Sequence, residues 1–182
     1  MTITNTIKKT ALALTAVVAT AAPGMAQYTT EDGFKVYEAS DFAGPHAEMI
    51  TTLEKLGVPV LNGTDDDRLC APADEDGTVT LGWYTPVHNV VVLCHGDYDQ
   101  RAQTLTHEVV HVIQDARAGL DNSNMGEASD RHFAYIKANI SDRKVWTITN
   151  LYDEADWVVE AEAFFYQDSP EQVSDALKVF TF

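Results

Sequence analysis

The sequence predicts an α+β fold, with a small antiparallel sheet packed on one face by helices. Three observations carry that prediction. Residues 78–84 and 90–94 are short runs rich in β-branched and aromatic residues, with Thr85-Pro86-Val87-His88-Asn89 as a turn between them. Most of the chain after this hairpin carries apolar residues at helical spacing. The first of those helical stretches follows the hairpin directly, so strand and helix can share one core.

The N-terminus reads as a leader. Lys8 and Lys9 form a basic start, residues 11–20 are apolar and uncharged, and Gly24-Met25-Ala26 supplies the small residues of a cleavage site. Residues 1–26 are therefore expected to be a signal peptide that is removed, and residues 27–182 a single domain, secreted or periplasmic. The apolar stretch is too short to span a bilayer stably, and a retained N-terminal anchor is the alternative. The chain has 28 acidic and 12 basic residues, a net charge of −16. Cleavage takes away two lysines and no acid. Such a charge repels nucleic acid and anionic membranes. It suits solubility, or a cationic peptide. The oligomeric state is not legible.

The elements follow in order. Residues 27–39 form a short entry segment. Residues 45–56 carry Met49, Ile50, Leu53 and Leu56 at helical spacing, with Gly57 as the stop. Residues 58–61 suit a short strand. Residues 62–67 are a polar turn, in which the Asp65-Asp66-Asp67 run reads as a solvated loop rather than a calcium site. A long helix is expected over residues 101–118, with Leu105, Val109, Val112 and Ile113 on its apolar side and Gly119 ending it. Residues 121–126 are a loop. Calcium is excluded there because Met125 and His132 fall where oxygen ligands are needed. Helices are expected over residues 127–139 and 153–167. Ser169-Pro170-Glu171-Gln172 reads as a capping box that opens a last helix, running to about Val179. Cys70 and Cys94 are the only cysteines. An even number in an exported chain suggests a disulfide, worth about 3 kcal/mol by chain entropy; two free buried thiols are the alternative.

The chemistry concentrates at His107-Glu108-Val109-Val110-His111, an H-E-x-x-H motif on the long helix. Residues four apart lie on one face of a helix, so the two imidazoles can share one tetrahedral zinc ion. Glu108 then stands beside the metal as general base, taking a proton from the activated water and passing it to the leaving amine. A catalytic zinc needs a third protein ligand and an open position. Gln114 and Arg117 stand where the Gly and the third His of the longer metzincin motif would be, which excludes that pattern. The third ligand has to come from a later helix. Glu160 and Glu162 both lie in the apolar stretch 158–165, about 200° apart on a helix, so they cannot both face one metal. Glu160 shares its side with Asp153, Asp156, Ala163 and Gln167. Glu162 shares its side with Val158, Val159, Phe165 and Tyr166, where an unpaired carboxylate is costly. Gln114 and Asp115, one turn past His111, are candidates to orient its ring; Asp115 and Arg117 read equally as the polar end of a helix. Tyr152, Tyr166, His132 and His95 are all conceivable donors to a developing oxyanion, and the sequence does not rank them.

On these residues the chain resembles the gluzincin-type zinc metallopeptidases over about residues 78–167. Such families carry H-E-x-x-H on one helix and a Glu in an E-x-x-A pattern on another. Glu160-Ala161-Glu162-Ala163 fits with Glu160 first, while Phe164 stands where many of them have Asp or Asn. The resemblance implies a zincin-like fold with the motif helix at its core. It also implies one zinc per chain on His107, His111 and Glu160 (Glu162 being the alternative), and hydrolysis of a peptide or protein substrate. Two other readings stand beside it: a non-catalytic zinc-binding interaction protein, and a zinc amidase acting on cell-wall peptides. Ligand chemistry favours zinc, though cobalt or manganese fits the same donors.

Overall fold

A computed structural model describes residues 30, 33–64, 66–73, 77–119 and 125–181. The expected leader lies outside them, as do Asp65 and most of the 121–126 loop. The architecture is α+β. Four strands, β1 (Lys35–Val36), β2 (Val60–Asn62), β3 (Gly82–Thr85) and β4 (Val90–Leu93), make one sheet in the order β1-β2-β4-β3. Among the described residues there are six α-helices: α1 (Pro45–Leu56), α2 (Tyr98–Ala118), α3 (Asp130–Asn139), α4 (Asp142–Leu151), α5 (Trp157–Tyr166) and α6 (Pro170–Lys178).

The sheet is mixed, which corrects the expectation of an antiparallel one. β4 pairs antiparallel with β3 but parallel with β2. The reason is β4 itself. Val90, Val91, Val92 and Leu93 are all buried, and a strand that is apolar on both faces belongs inside the sheet. The chain therefore passes from β2 to the far edge as β3 and turns back so that β4 fills the gap. The alternating β4 side chains feed two cores. Val91 and Leu93 join the main one, with Met49, Ile50 and Leu53 of α1 and Leu105 and Val109 of α2. Val90 and Val92 join a smaller one with Phe34, Leu61 and Leu69, closed by the Cys70–Cys94 disulfide.

The helix ends have local causes. Gly57 and Gly119 close α1 and α2 in the left-handed region, at φ 73° and 93°. α2 starts before residue 101 because Asp97 and Gln100 form a reciprocal capping box. The box expected at Ser169 does not form. Ser169 sits at φ −131°, ψ 59°, away from the extended geometry that aims an N-cap hydroxyl into the first turn. The helix expected over 127–139 starts at Asp130, capped by Ser129. α4 has no counterpart in the sequence reading. Val145, Ile148 and Leu151 stand at helical spacing, but of these only Ile148 is buried. The helix is held by Lys144, whose ammonium donates to the Phe164 carbonyl at 2.5 Å and to Asp168 at 2.6 Å. Asp168 in turn accepts from Gln103 of α2.

Gly82 marks where the sheet meets α2. A Cβ there would lie 2.6 Å from Thr104 Cγ2 and 2.8 Å from the Val92 carbonyl oxygen, and the second of these is backbone and cannot yield. Gly82→Ala is expected to destabilise the fold by about 1–3 kcal/mol through overpacking. Urea unfolding would read this as a lower midpoint at unchanged slope; an unshifted midpoint would mean that β3 does not rest on α2.

Candidate metal centre

The site forms where α2 crosses α5. His107 and His111 project from one face of α2, and Glu160 projects from the first turn of α5. All three are buried, and each offers a ligating atom within 4.8 Å of the others. Ala163, one turn after Glu160, is fully buried, and its small side chain permits close helix approach. The remaining candidate carboxylate, Glu162, points elsewhere. Arg117 Nη2 donates to it at 2.8 Å and Gln114 Nε2 at 3.1 Å, with His132 Nε2 at 3.6 Å. The side of α5 that reads as apolar is therefore furnished with a cation by α2.

The distances suit an ion. Zinc bonds to nitrogen and oxygen are about 2.0–2.2 Å long, so ligand atoms around one ion stand roughly 3–4 Å apart. His107 Nε2 lies 3.3 Å from Glu160 Oε2, and His111 Nε2 lies 3.4 Å from Glu160 Oε1. Glu160 Oε2 is moreover a buried oxygen without a properly directed hydrogen bond, a state that costs free energy unless a cation satisfies it. Each ring is fixed from behind. His111 Nδ1 meets Gln114 Oε1 at 2.7 Å. His107 Nδ1 meets Gln167 Oε1 at 3.3 Å, with the Phe164 ring edge-on to the imidazole at 4.8 Å. Gln167 thus makes the polar contact behind His107, while Phe164 packs against the ring. Gln167 lies on the Glu160 side of α5, and that shared side was the available signal.

Glu108 is buried against β3, where the Tyr84 backbone donates to it; burial raises its carboxyl above the ordinary range, opposed by the neighbouring His107 and His111. At Glu160 burial acts in the same direction. The close approach of His107 and His111 overcomes it and brings the group down to about 2. At His111 burial disfavours the charged ring, but Glu160 and the charge of Glu108 outweigh it and push the group up to about 9. Tyr152, at the end of α4, reaches Glu160 with its phenol, and burial together with the charges of Glu160 and Glu108 raises its pKa strongly. The other conceivable oxyanion donors lie apart. His132 and Tyr166 stack on each other beside Glu162, and His95 contacts the Ala71 carbonyl. Asp115 accepts from the Tyr84 hydroxyl at 2.7 Å and so ties α2 to β3.

A proton on His111 competes with a metal ion for Nε2. Metal affinity is therefore expected to rise with pH, by up to about tenfold per unit, and to level off above about 9. Glu160 stays ionised over this range and adds no competition. Calorimetry at neutral pH in buffers of different ionisation enthalpy should show about one proton released per ion bound; release of none would contradict the His111–Glu160 pairing.

No protein-family profile, curated protein sequence or solved structure matches this chain. The site itself is a buried His-His-Glu group able to hold a metal ion. Among the described residues no helix is long and apolar enough to cross a membrane.

Proposed function

We propose that the protein is an exported, zinc-dependent peptidase of gluzincin type. The observation that carries the reading is Glu108, a buried carboxylate of raised pKa pinned to the backbone of β3, next to a His-His-Glu group. A metal site with only a structural task has no use for a base held there. Two imidazoles and one carboxylate are the donor set of catalytic zinc. Zinc bound there would supply Lewis acidity, activating water near neutral pH and polarising a carbonyl. The Cys70–Cys94 disulfide agrees with an oxidising compartment outside the cytoplasm.

The chain's own groups have distinct tasks. Glu108 takes the proton of the attacking water and returns it to the leaving amine, and its raised pKa brings it closer to neutrality, where that exchange is most efficient. Tyr152 remains a phenol at any ordinary pH and can turn its hydrogen bond from Glu160 to the oxygen that gains charge. β3 offers the substrate its edge. Cys94 N–H donates to the Leu81 carbonyl, so by antiparallel alternation Gly82 and Tyr84 turn their backbone groups away from β4. The Tyr84 N–H is used by Glu108. The Gly82 groups and the Tyr84 carbonyl are left for an extended peptide.

The test is incubation of the zinc-loaded protein with a mixed-sequence peptide library, reading new termini by mass spectrometry. Cleavage that a chelator stops and zinc restores is the expected result. A protein holding one zinc per chain that cuts nothing in the library would overturn the reading.

A further inference from the structure

Glu162 sits two residues from Glu160 and has no contact with either motif histidine, yet it is only 4% exposed. Its outer side faces a cavity of about 820 Å³ that Arg117, His132 and Tyr166 also line, and none of His107, Glu108, His111 or Glu160 borders that space. Its inner side meets Gln114. A buried carboxylate that binds neither ion nor substrate calls for an account of what it does.

Resting on the metal-site reading above, we propose that Glu162 is a positioning residue that, through Gln114, fixes Nδ1 of His111 as the nitrogen that donates and leaves Nε2 facing the metal position. The logic is one of hydrogen-bond polarity. Gln114 is fully buried, and its amide nitrogen donates to the Val159 carbonyl at 2.9 Å and to Glu162 Oε2 at 3.1 Å. Both partners can only accept. A flipped amide would set its oxygen against two other oxygens, so the nitrogen is committed to α5. The amide oxygen is then committed to His111, whose Nδ1 lies 2.7 Å away. An amide oxygen cannot donate, so Nδ1 must carry a hydrogen, and Nε2, which faces Glu160 at 3.4 Å, is the nitrogen left for a metal ion once its own proton has gone. Arg117, at 2.8 Å on the other oxygen, supplies the charge that balances Glu162. The second carboxylate of the Glu160-Ala161-Glu162-Ala163 run thus acts on the same centre as the first, from behind.

The proposal predicts coupling. Glu162→Ala should keep one zinc per chain but weaken zinc binding about 10–100-fold, the usual loss when a partner behind a ligand is removed. Glu162→Gln, whose amide oxygen still accepts from Gln114, should stay within about threefold of the parent. In a Gln114→Ala background, Glu162→Ala should have no further effect on zinc affinity. Equal losses in both backgrounds would mean that Glu162 acts only by bracing α5 through Arg117, and would overturn the proposal. A second readout needs no metal: the His111 Nδ1–H proton resonance should be sheltered from exchange in the parent and lost to exchange in Glu162→Ala. An unchanged resonance would likewise overturn it. A parent protein that takes up no zinc, yet shows the sheltered proton and its loss in the variant, would remove the metal-site reading and leave the positioning intact.

Discussion

Glu160→Ala is expected to lower zinc affinity by at least about a thousandfold, more than the roughly 10–100-fold that follows from losing a partner behind a ligand. The carboxylate is the element of the site that touches both imidazoles, through its two oxygens at 3.3 and 3.4 Å. Without it two histidines on one helix remain, and the buried oxygen that lacks a directed hydrogen bond is gone. The fold should survive, because both apolar clusters are built without Glu160. His111 should lose the partner that holds its proton, so its pKa should fall and the pH dependence of residual metal binding should flatten. A competition titration with a chromophoric chelator reads the affinity, and circular dichroism checks the fold. Wild-type affinity in a folded Glu160→Ala protein, with loss in Glu162→Ala instead, would exchange the roles given to the two carboxylates.

Why the choice between those carboxylates was partly legible is instructive. Helical geometry alone separates Glu160 from Glu162, because residues two apart point to different sides. Placing Glu160 on the polar side is also a local matter, readable from Asp156 and Gln167. What stabilises Glu162 is not local. Its partners, Gln114 and Arg117, lie more than 40 residues earlier and reach it only once α2 and α5 cross. The same division runs through the fold. The long central helix, the hairpin and the glycine stops follow from periodicity and capping within a few residues. The parallel pairing of β2 with β4 is a long-range outcome, set by the need to bury both faces of Val90–Leu93. α4 was missed although Val145, Ile148 and Leu151 stand at helical spacing; the lysine clasp that docks it reaches Phe164 and Asp168, 20 and 24 residues on. Tyr152 could not be ranked above the other candidate donors for a related reason: its place beside Glu160 depends on how α4 docks.

Glu108→Gln is expected to leave zinc binding near the parent level while peptide hydrolysis falls by about 10²–10⁴-fold, the range that a general base contributes. The substitution is close to isosteric, and its amide oxygen can still accept from the Tyr84 backbone that holds Glu108 now. What it lacks is a site for the proton of the attacking water. The pH profile supplies an independent check on the parent. Burial raises the Glu108 carboxyl, so hydrolysis should be lost as pH falls through a point above the ordinary carboxylate range, where Glu108 becomes protonated. Metal loss on acidification moves in the same direction, because His111 regains its proton. The two are separable at saturating zinc, where the site stays filled and only the loss of the base remains. A Glu108→Gln protein that keeps its zinc and its activity would show that the proton is taken by another group. Tyr152 would not serve, since its raised pKa keeps it protonated. The burial of Glu108 beside the histidines would then have to be explained by packing alone, against the cost of placing a carboxylate there.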